Sequence, residues 1–341
     1  MDDQRTRYDR GTEMTPVCGH PVDEGGTALG EASSIGGLTY VLITPARNEE
    51  AHIEQTIRSV VGQTIRPIKW VIVSDGSTDR TDEIVKRYVA AHGWIEFVRM
   101  PERKERNFAG KVYAFDAGAA RVRHLPYEII GNLDADVSFG SDYVEYLLGK
   151  FAQYPRLGVA GTNQCEERWA ERPRDDYRVT SVEEVPGAFQ LFRRECLESI
   201  GGYKPSRHGG VDVLATIEAR MGGWQTRVYT GRLLLHQRRQ GTAKTHRLLV
   251  EFHNGRKDYM CGGHPVWEIL RAAYRLTRKP YIIGGCLIFV GYFSARLTGI
   301  QTLFPPEVNR FRRTEQIKRL KMFYRRLRSF RVFHCSDSPT S

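Results

Sequence analysis

Three unbroken apolar stretches, each closing on polar residues, limit what this chain can become. They read TYVLITPA at 39–46, KWVIVSDG at 69–76 and EIIGNLDAD at 128–136. A strand with one wet face alternates apolar and polar residues, whereas these runs do not, so both of their faces must be covered. Between the first two lies a segment with Ile53, Ile57, Val60 and Val61 at helical spacing, which makes a β-α-β unit. Ser77 and Thr78 offer caps for a second helix carrying Ile84, Val85 and Tyr88; IEFVRM follows as a strand, and a helix from about Gly110 to Arg123 leads into the third run. The expected fold is α/β, a Rossmann-like, mostly parallel sheet with helices on both faces.

Open sheets of this kind bind ligands beyond the carboxyl ends of their strands, and here those ends read TPARNE, SDGSTD and NLDAD. Asp134 and Asp136 stand one residue apart at a strand end, where two carboxylates converge on a hard divalent cation or else form a solvated turn. Asp75 is placed to accept the imide hydrogen of a pyrimidine base, and Asp79 to cap a helix.

The formal charge of +11 favours an anionic partner. Six scattered cysteines without a CxxC pair read as reduced thiols, and the polar start MDDQRTRYDRGTEM lacks the apolar stretch of a signal peptide, so a cytoplasmic setting is expected. Residues 1–38 have almost no apolar periodicity and read as a disordered leader. After about residue 155 the pattern loosens into strand-like LGVAGTNQ, GAFQLF and TRVYTG, as suits an acceptor-binding region. The uncharged run from Pro280 to Ala295 is shorter than the roughly 20 residues that cross a bilayer, and implies a buried, re-entrant or interfacial helix. Beyond it, NRFRRTEQIKRLKMFYRRLRSFRVF interleaves cations with Leu, Met, Phe and Tyr, which suits an anionic membrane surface or a solvated helix.

The motifs taken in order resemble the family 2 glycosyltransferases, which have the GT-A fold. The resemblance rests on TPARNEE at 44–50, the QT at 63–64, SDGSTD at 74–79, GKVYAFDAG at 110–118 and LDAD at 133–136. It continues through GAFQLFRRECLESIGGY at 187–203 and VDVLATIEARMGGWQTRVY at 211–229, so it covers residues 39 to about 235. It implies that Pro45, Arg47 and Glu49 line a nucleotide pocket, that Asp75 contacts the base, and that Lys111 lies near the diphosphate. It further implies that Asp134 approaches the ribose or sugar and that Asp136 binds Mg²⁺ or Mn²⁺. Asp212 matches the aspartate of the family's ED motif and is the candidate general base, with a helix N-cap over 213–221 as its structural alternative. Three positions depart from the family: Arg47 replaces a Tyr, Ser74 replaces an Asp, and Gly210-Val211 stands where a Glu usually precedes the base. Instead of the QxxRW motif of processive synthases the chain has HQRRQGTAKTHR at 236–247. There His236 is a candidate third metal ligand or phosphate contact, and Arg238 and Arg239, with Lys244 and Arg247, could neutralise a diphosphate.

The resulting expectation is an inverting transferase that moves a sugar from a nucleotide-sugar, UDP by family habit, to a glycan or lipid-linked acceptor. Its domains would be the leader at 1–38, a transferase domain at 39–240 with nucleotide-binding (39–140) and acceptor (141–240) halves, a basic and apolar helical extension at 241–330, and a disordered tail at 331–341. The extension would hold it peripherally at the inner face of the cell membrane. A polyprenyl-phosphate sugar synthase differs only in acceptor. A non-catalytic lipid- or nucleic-acid-binding protein would explain the charge by counterion release, but not Asp75, Asp134, Asp136 and Asp212, which repel phosphate unless a metal intervenes, so no nucleic acid is expected. A sugar nucleotidyltransferase would need a Gly-rich basic loop where TPARNEEAH stands.

Overall fold

The computed structural model describes residues 35–102, 108–166, 182–237, 247–278 and 281–333. The leader expected over 1–38 lies outside these residues except at its end, where a turn closed by a bridge between Ile35 and Leu38 packs on the core. Of the tail expected over 331–341, residues 334–341 lie outside them.

The three apolar runs form β1 (Tyr40–Ala46), β2 (Lys69–Ser74) and β4 (Ile129–Leu133), and IEFVR forms β3 (Ile95–Arg99). Alternate residues of each strand serve opposite faces. Tyr40, Leu42, Trp70 and Ile72 pack into one core, Val41, Ile43, Val71 and Val73 into the other, and all eight are essentially inaccessible to water. At about 1.5–3 kcal/mol for each large apolar side chain removed from water, neither face can be left uncovered. The helices α1 (Ile53–Val61), α2 (Thr81–Ala91) and α4 (Tyr143–Gln153) cover the first face. The second is covered by α3 (Ala109–Val122), α5 (Arg194–Ser199) and α6 (Val211–Met221).

Strands β3, β2, β1 and β4 run parallel in that order. The sheet then becomes mixed, through β7 (Phe189–Arg193), β6 (Leu157–Glu166), β8 (Gln225–His236) and β5 (Val137–Phe139). β7 is antiparallel to both β4 and β6, β6 is parallel to β8, and β5 is antiparallel to β8.

One local expectation gives way to another solution. Helix α2 begins at Thr81 without a side-chain cap from Ser77 or Thr78. Instead Asp79 Oδ1 accepts from the Thr81 amide at 3.0 Å, and Ser77 Oγ accepts from the Asn48 amide at 3.2 Å, tying two loops together. Gln63 of the QT pair is a staple: its amide nitrogen donates to the carbonyls of Ser59 and Gly140, both at 2.8 Å, and its oxygen accepts from Val144 N.

Four helices follow the sheet: α7 (Arg247–Met260), α8 (Pro265–Arg275), α9 (Ile283–Leu297) and α10 (Pro306–Phe333). Among the described residues no helix is long and apolar enough to cross a membrane. α7 and α9 meet backbone to backbone through glycines: a Cβ on Gly255 would lie 2.0 Å from the Ile288 carbonyl oxygen, and one on Gly291 2.0 Å from that of Phe252. A buried charge cluster fixes the rest. Arg312 of α10 pairs with Asp258 of α7 at 2.9 Å and with Glu184 at 3.7 Å, while Arg271 of α8 lies 3.3 Å from Glu268 and 3.8 Å from Asp258.

Arg312 and Arg271 hold Asp258 ionised against the pull of burial. Burial, and then the Asp258 charge, push Glu268 from the usual 4.5 up to about 8. Folding therefore takes up a proton between these values, and the stability it contributes is complete below 4.5 and is lost as the pH rises through about 8. Between about pH 6 and 8.5 the wild-type Tm should fall by several degrees more than that of Glu268→Gln, which stays neutral; equal slopes in calorimetry would contradict the assignment.

Candidate active site

The polar ends of β1, β2 and β4 gather two groups of side chains. At the first, Asp75 follows β2 and its amide donates to the Ala46 carbonyl at 2.8 Å, which fixes it beside the end of β1. Arg47 Nη1 lies 3.6 Å from Asp75 Oδ2, and both side chains are largely buried. Partly buried Pro45 belongs to the same strand end, level with Val73. Glu49 is buried where α1 begins, its carbonyl accepting from Ile53 N and its amide donating to Thr81 Oγ1, both at 2.8 Å. The turn between them depends on Asn48, held at φ 56° with its side-chain oxygen accepting from Thr78 N at 2.8 Å; asparagine is among the few residues that tolerate this conformation.

The second group stands beyond β4, on the other side of β1 from Asp75. The Asp134 amide donates to the Ala188 carbonyl at 2.8 Å, continuing the β4–β7 ladder past Leu133 and Phe189. Lys111, from the first turn of α3, donates through Nζ to Asp134 Oδ1 and to the Gly187 carbonyl, the latter at 3.2 Å. Asp212 arrives from α6 on the other side of Gly187, where a Cβ would lie 2.7 Å from Asp212 Oδ2. Gly210, at φ 80°, occupies the N-cap of α6 and Asp212 sits inside the first turn without capping it, so the N-cap alternative for Asp212 is set aside. Behind this group Tyr203 donates to Gln190 Oε1 at 2.7 Å, a buried polar support that the sequence did not point to.

The electrostatics follow from the crowding. Burial would lower the Lys111 ammonium, but Asp134 outweighs it, with Asp212 and Asp136 adding, and holds the lysine above its ordinary value. Burial raises Asp134, opposed by Lys111 and reinforced by Asp136.

The sheet edge brings Asp136 to His236. β5 pairs with β8 so that Val137 faces His236, and His236 Nδ1 lies 3.8 Å from Asp136 Oδ1. That separation is within the span of two ligands each about 2.1 Å from one cation. Among the described residues no three or more His, Cys, Asp or Glu side chains cluster to hold a metal by themselves. Arg238, Arg239 and Lys244 lie outside the described residues, as does the side chain of Arg247. Gly187 was not singled out from the sequence, because a glycine before an apolar strand reads as ordinary punctuation.

Residues 41–201 match the model of glycosyl transferase family 2. Two relatives are poly-beta-1,6-N-acetyl-D-glucosamine synthases. That of Staphylococcus epidermidis is 24% identical over 187 residues, covering 50% of this chain and 43% of the relative. That of Staphylococcus aureus strain COL is 28% identical over 181 residues, covering 48% and 41%. The matched stretch is thus less than half the length of either relative. In fold, the chain is similar to the mannosyltransferase PcManGT of Pyrobaculum calidifontis, solved in complex with GDP-Man and Mn²⁺, with a TM-score of 0.52, 20% identity, and coverage of 79% of this chain and 77% of that one. The match to the family 2 glycosyltransferases thus holds over residues 41–201, and the chain has a GT-A fold.

Lys111→Met should raise the Asp134 carboxyl further, since burial and Asp136 remain when the cation goes. A carboxyl raised in the fold loses stability as the pH rises, so the variant should be about 1–2 kcal/mol less stable than wild type at pH 8 and closer to it at pH 5. Urea unfolding at the two pH values, with carboxyl NMR on Asp134, reads both effects.

Proposed function

We propose that the protein transfers a sugar from a nucleotide-sugar, with UDP the favoured nucleotide, to a hydroxyl or phosphate acceptor, with inversion, in the assembly of a polysaccharide or glycolipid. One observation carries the reading: Lys111, Asp134 and Asp212 converge around Gly187 at the carboxyl end of β4, so a cation, a strand-end carboxylate and a second carboxylate face one space. Asp75 is suited to accept the imide hydrogen of a uracil. Arg47, 3.6 Å from Asp75, is suited to present a guanidinium to the base, with Pro45 and Glu49 as further lining of the nucleotide pocket. Lys111 is suited to the donor diphosphate, and Asp134 to the ribose or the sugar.

Asp136 and His236, an oxygen and a nitrogen donor, are the residues that would hold Mg²⁺ or Mn²⁺. Such a cation would supply Lewis-acid stabilisation of the departing diphosphate. Asp212 accepts the acceptor's proton as its oxygen bonds to the anomeric carbon. The bond from that carbon to the diphosphate oxygen breaks, and its electron pair leaves with the nucleoside diphosphate.

We retain the division into nucleotide-binding and acceptor halves at 39–140 and 141–240, with a helical extension from 241, and assign the protein to the cytoplasmic face of a membrane. A lipid-linked acceptor, as in a polyprenyl-phosphate sugar synthase, is the second reading, favoured by the apolar residues exposed on α8 and α9. A non-catalytic binder of anions fits less well, since the carboxylates at the strand ends repel phosphate unless a metal intervenes.

The test is a screen of UDP-, GDP- and dTDP-sugars with Mn²⁺, reading released nucleotide. Asp136→Ala should lose metal-dependent nucleotide binding and turnover, whereas Asp212→Asn should bind donor normally and lose about a thousandfold in transfer. Wild-type activity in both variants would reject the site. Gly187→Ala, which must displace the Asp212 carboxylate, should lower transfer about a hundredfold with donor affinity unchanged.

A further inference from the structure

Helix α8 is amphipathic in the opposite sense to a helix on a water-washed surface. Its protein-facing side carries Glu268, which is 0% exposed, together with Arg271 and Ala272. Its outward side, with the residue just past its end, carries Val266, Ile269, Leu270 and Leu276, all exposed. α9 adds a second outward stripe of Ile283, Phe289, Val290 and Leu297, with Leu297 at 85% exposure, while its glycines face inward. The two stripes adjoin, because Gly285 of α9 lies against Ala272 and Leu276. Lone exposed apolar residues are ordinary on a protein surface, but two adjoining helices that turn their apolar sides outward are not.

One end of this hairpin, where α8 begins and α9 ends, is strongly basic. α10 presents Arg310, Arg313, Lys318 and Lys321 to a groove of about 740 Å³ that also touches His264 and Thr302. His264 is the N-cap of α8, its Nδ1 accepting from Val266 N at 3.1 Å, and Thr302 follows shortly after α9. The groove therefore opens where α8 begins and α9 ends. Burial lowers the His264 imidazole, and Arg313 and Arg296 lower it further, as a positive local field requires. Among the described residues none of the four groove cations forms an ion pair, whereas Arg312 and Arg319 on the same helix are paired with acids.

We propose that the outward face of α8 and α9 inserts into one leaflet of an anionic membrane and that the basic groove of α10 holds its phosphate headgroups. α9, with 15 residues, reaches only about 22 Å, less than the hydrocarbon core of a bilayer, so the hairpin lies in the interface. Charge complementarity selects the occupant: the apolar stripes need a hydrocarbon and the cations beside them need anions, which a lipid monolayer provides together. The inference deepens the membrane half of the function proposed above and rests on it, but not on the identity of the sugar donor.

Flotation of the full-length protein with phosphatidylcholine vesicles, with and without phosphatidylglycerol, tests it. Wild type should float only with the anionic vesicles. Ile269→Asp with Val290→Asp should lower partitioning about tenfold or more, and Lys318→Glu with Lys321→Glu about tenfold or more. Both double variants should keep the wild-type Tm and donor turnover. Asp136→Ala should float as wild type while failing to turn over donor, so the membrane reading and the transferase reading fail separately. The proposal is overturned if binding ignores phosphatidylglycerol, if the aspartate pair leaves flotation unchanged, or if light scattering shows a dimer that the aspartate pair dissociates. It is equally overturned if inorganic pyrophosphate fills the groove without displacing the protein from vesicles.

Discussion

The antiparallel contact of β4 with β7 is the constraint on which the site depends. Up to β4 the sheet is parallel, and a parallel sheet alone would leave the end of β4 facing loops. Pairing with β7 instead brings the segment just before it, Gly187-Ala188, alongside Asp134, where the Asp134 amide meets the Ala188 carbonyl. That segment offers the Gly187 carbonyl to Lys111 and, having no side chain at 187, leaves room for Asp212. One change of strand direction thus converts a pair of acidic residues at a strand end into a site with a cation and a second carboxylate. The β5–β8 contact does the same on a smaller scale for Asp136 and His236.

The parallel half of the fold was legible because burial on two faces leaves a mark in the sequence. Tyr40 to Ile43 and Trp70 to Val73 are all apolar because neighbours along each strand enter different cores. The second half left no such mark. LGVAGTNQ and GAFQLF look the same whichever way they run, and nothing local distinguishes a strand parallel to its neighbour from one opposed to it. The nearness of His236 to Asp136 spans about a hundred residues and is created only when β5 turns back onto β8. Asp212 could be found only through its family motif, and its environment only through Gly187, a residue whose contribution is an absence. The helix caps expected from Ser77 and Thr78 failed for a related reason: the Ser77 hydroxyl and the Thr78 amide are both tied to Asn48, and tertiary ties took precedence over local capping.

Orientation was also beyond the sequence in the helical region. The spacing of Val266, Ile269 and Leu270 shows that α8 has an apolar side, but spacing cannot say whether that side faces inward. The burial of Glu268 and Arg271 decides it, and it depends on Asp258 and Arg312 arriving from α7 and α10. Polar residues thereby organise the inside of this region while apolar residues form its outer face.

The glycine contact between α7 and α9 sets how this region can vary in descendants of the same ancestor. Phe289 or Val290 can exchange with almost any apolar residue, since nothing packs tightly outside them. A single methyl group at Gly255, Gly285 or Gly291 would collide with the backbone of a neighbouring helix. The lineage of this extension should therefore be traced by the positions of its small residues, and its aromatic content will drift without altering the architecture.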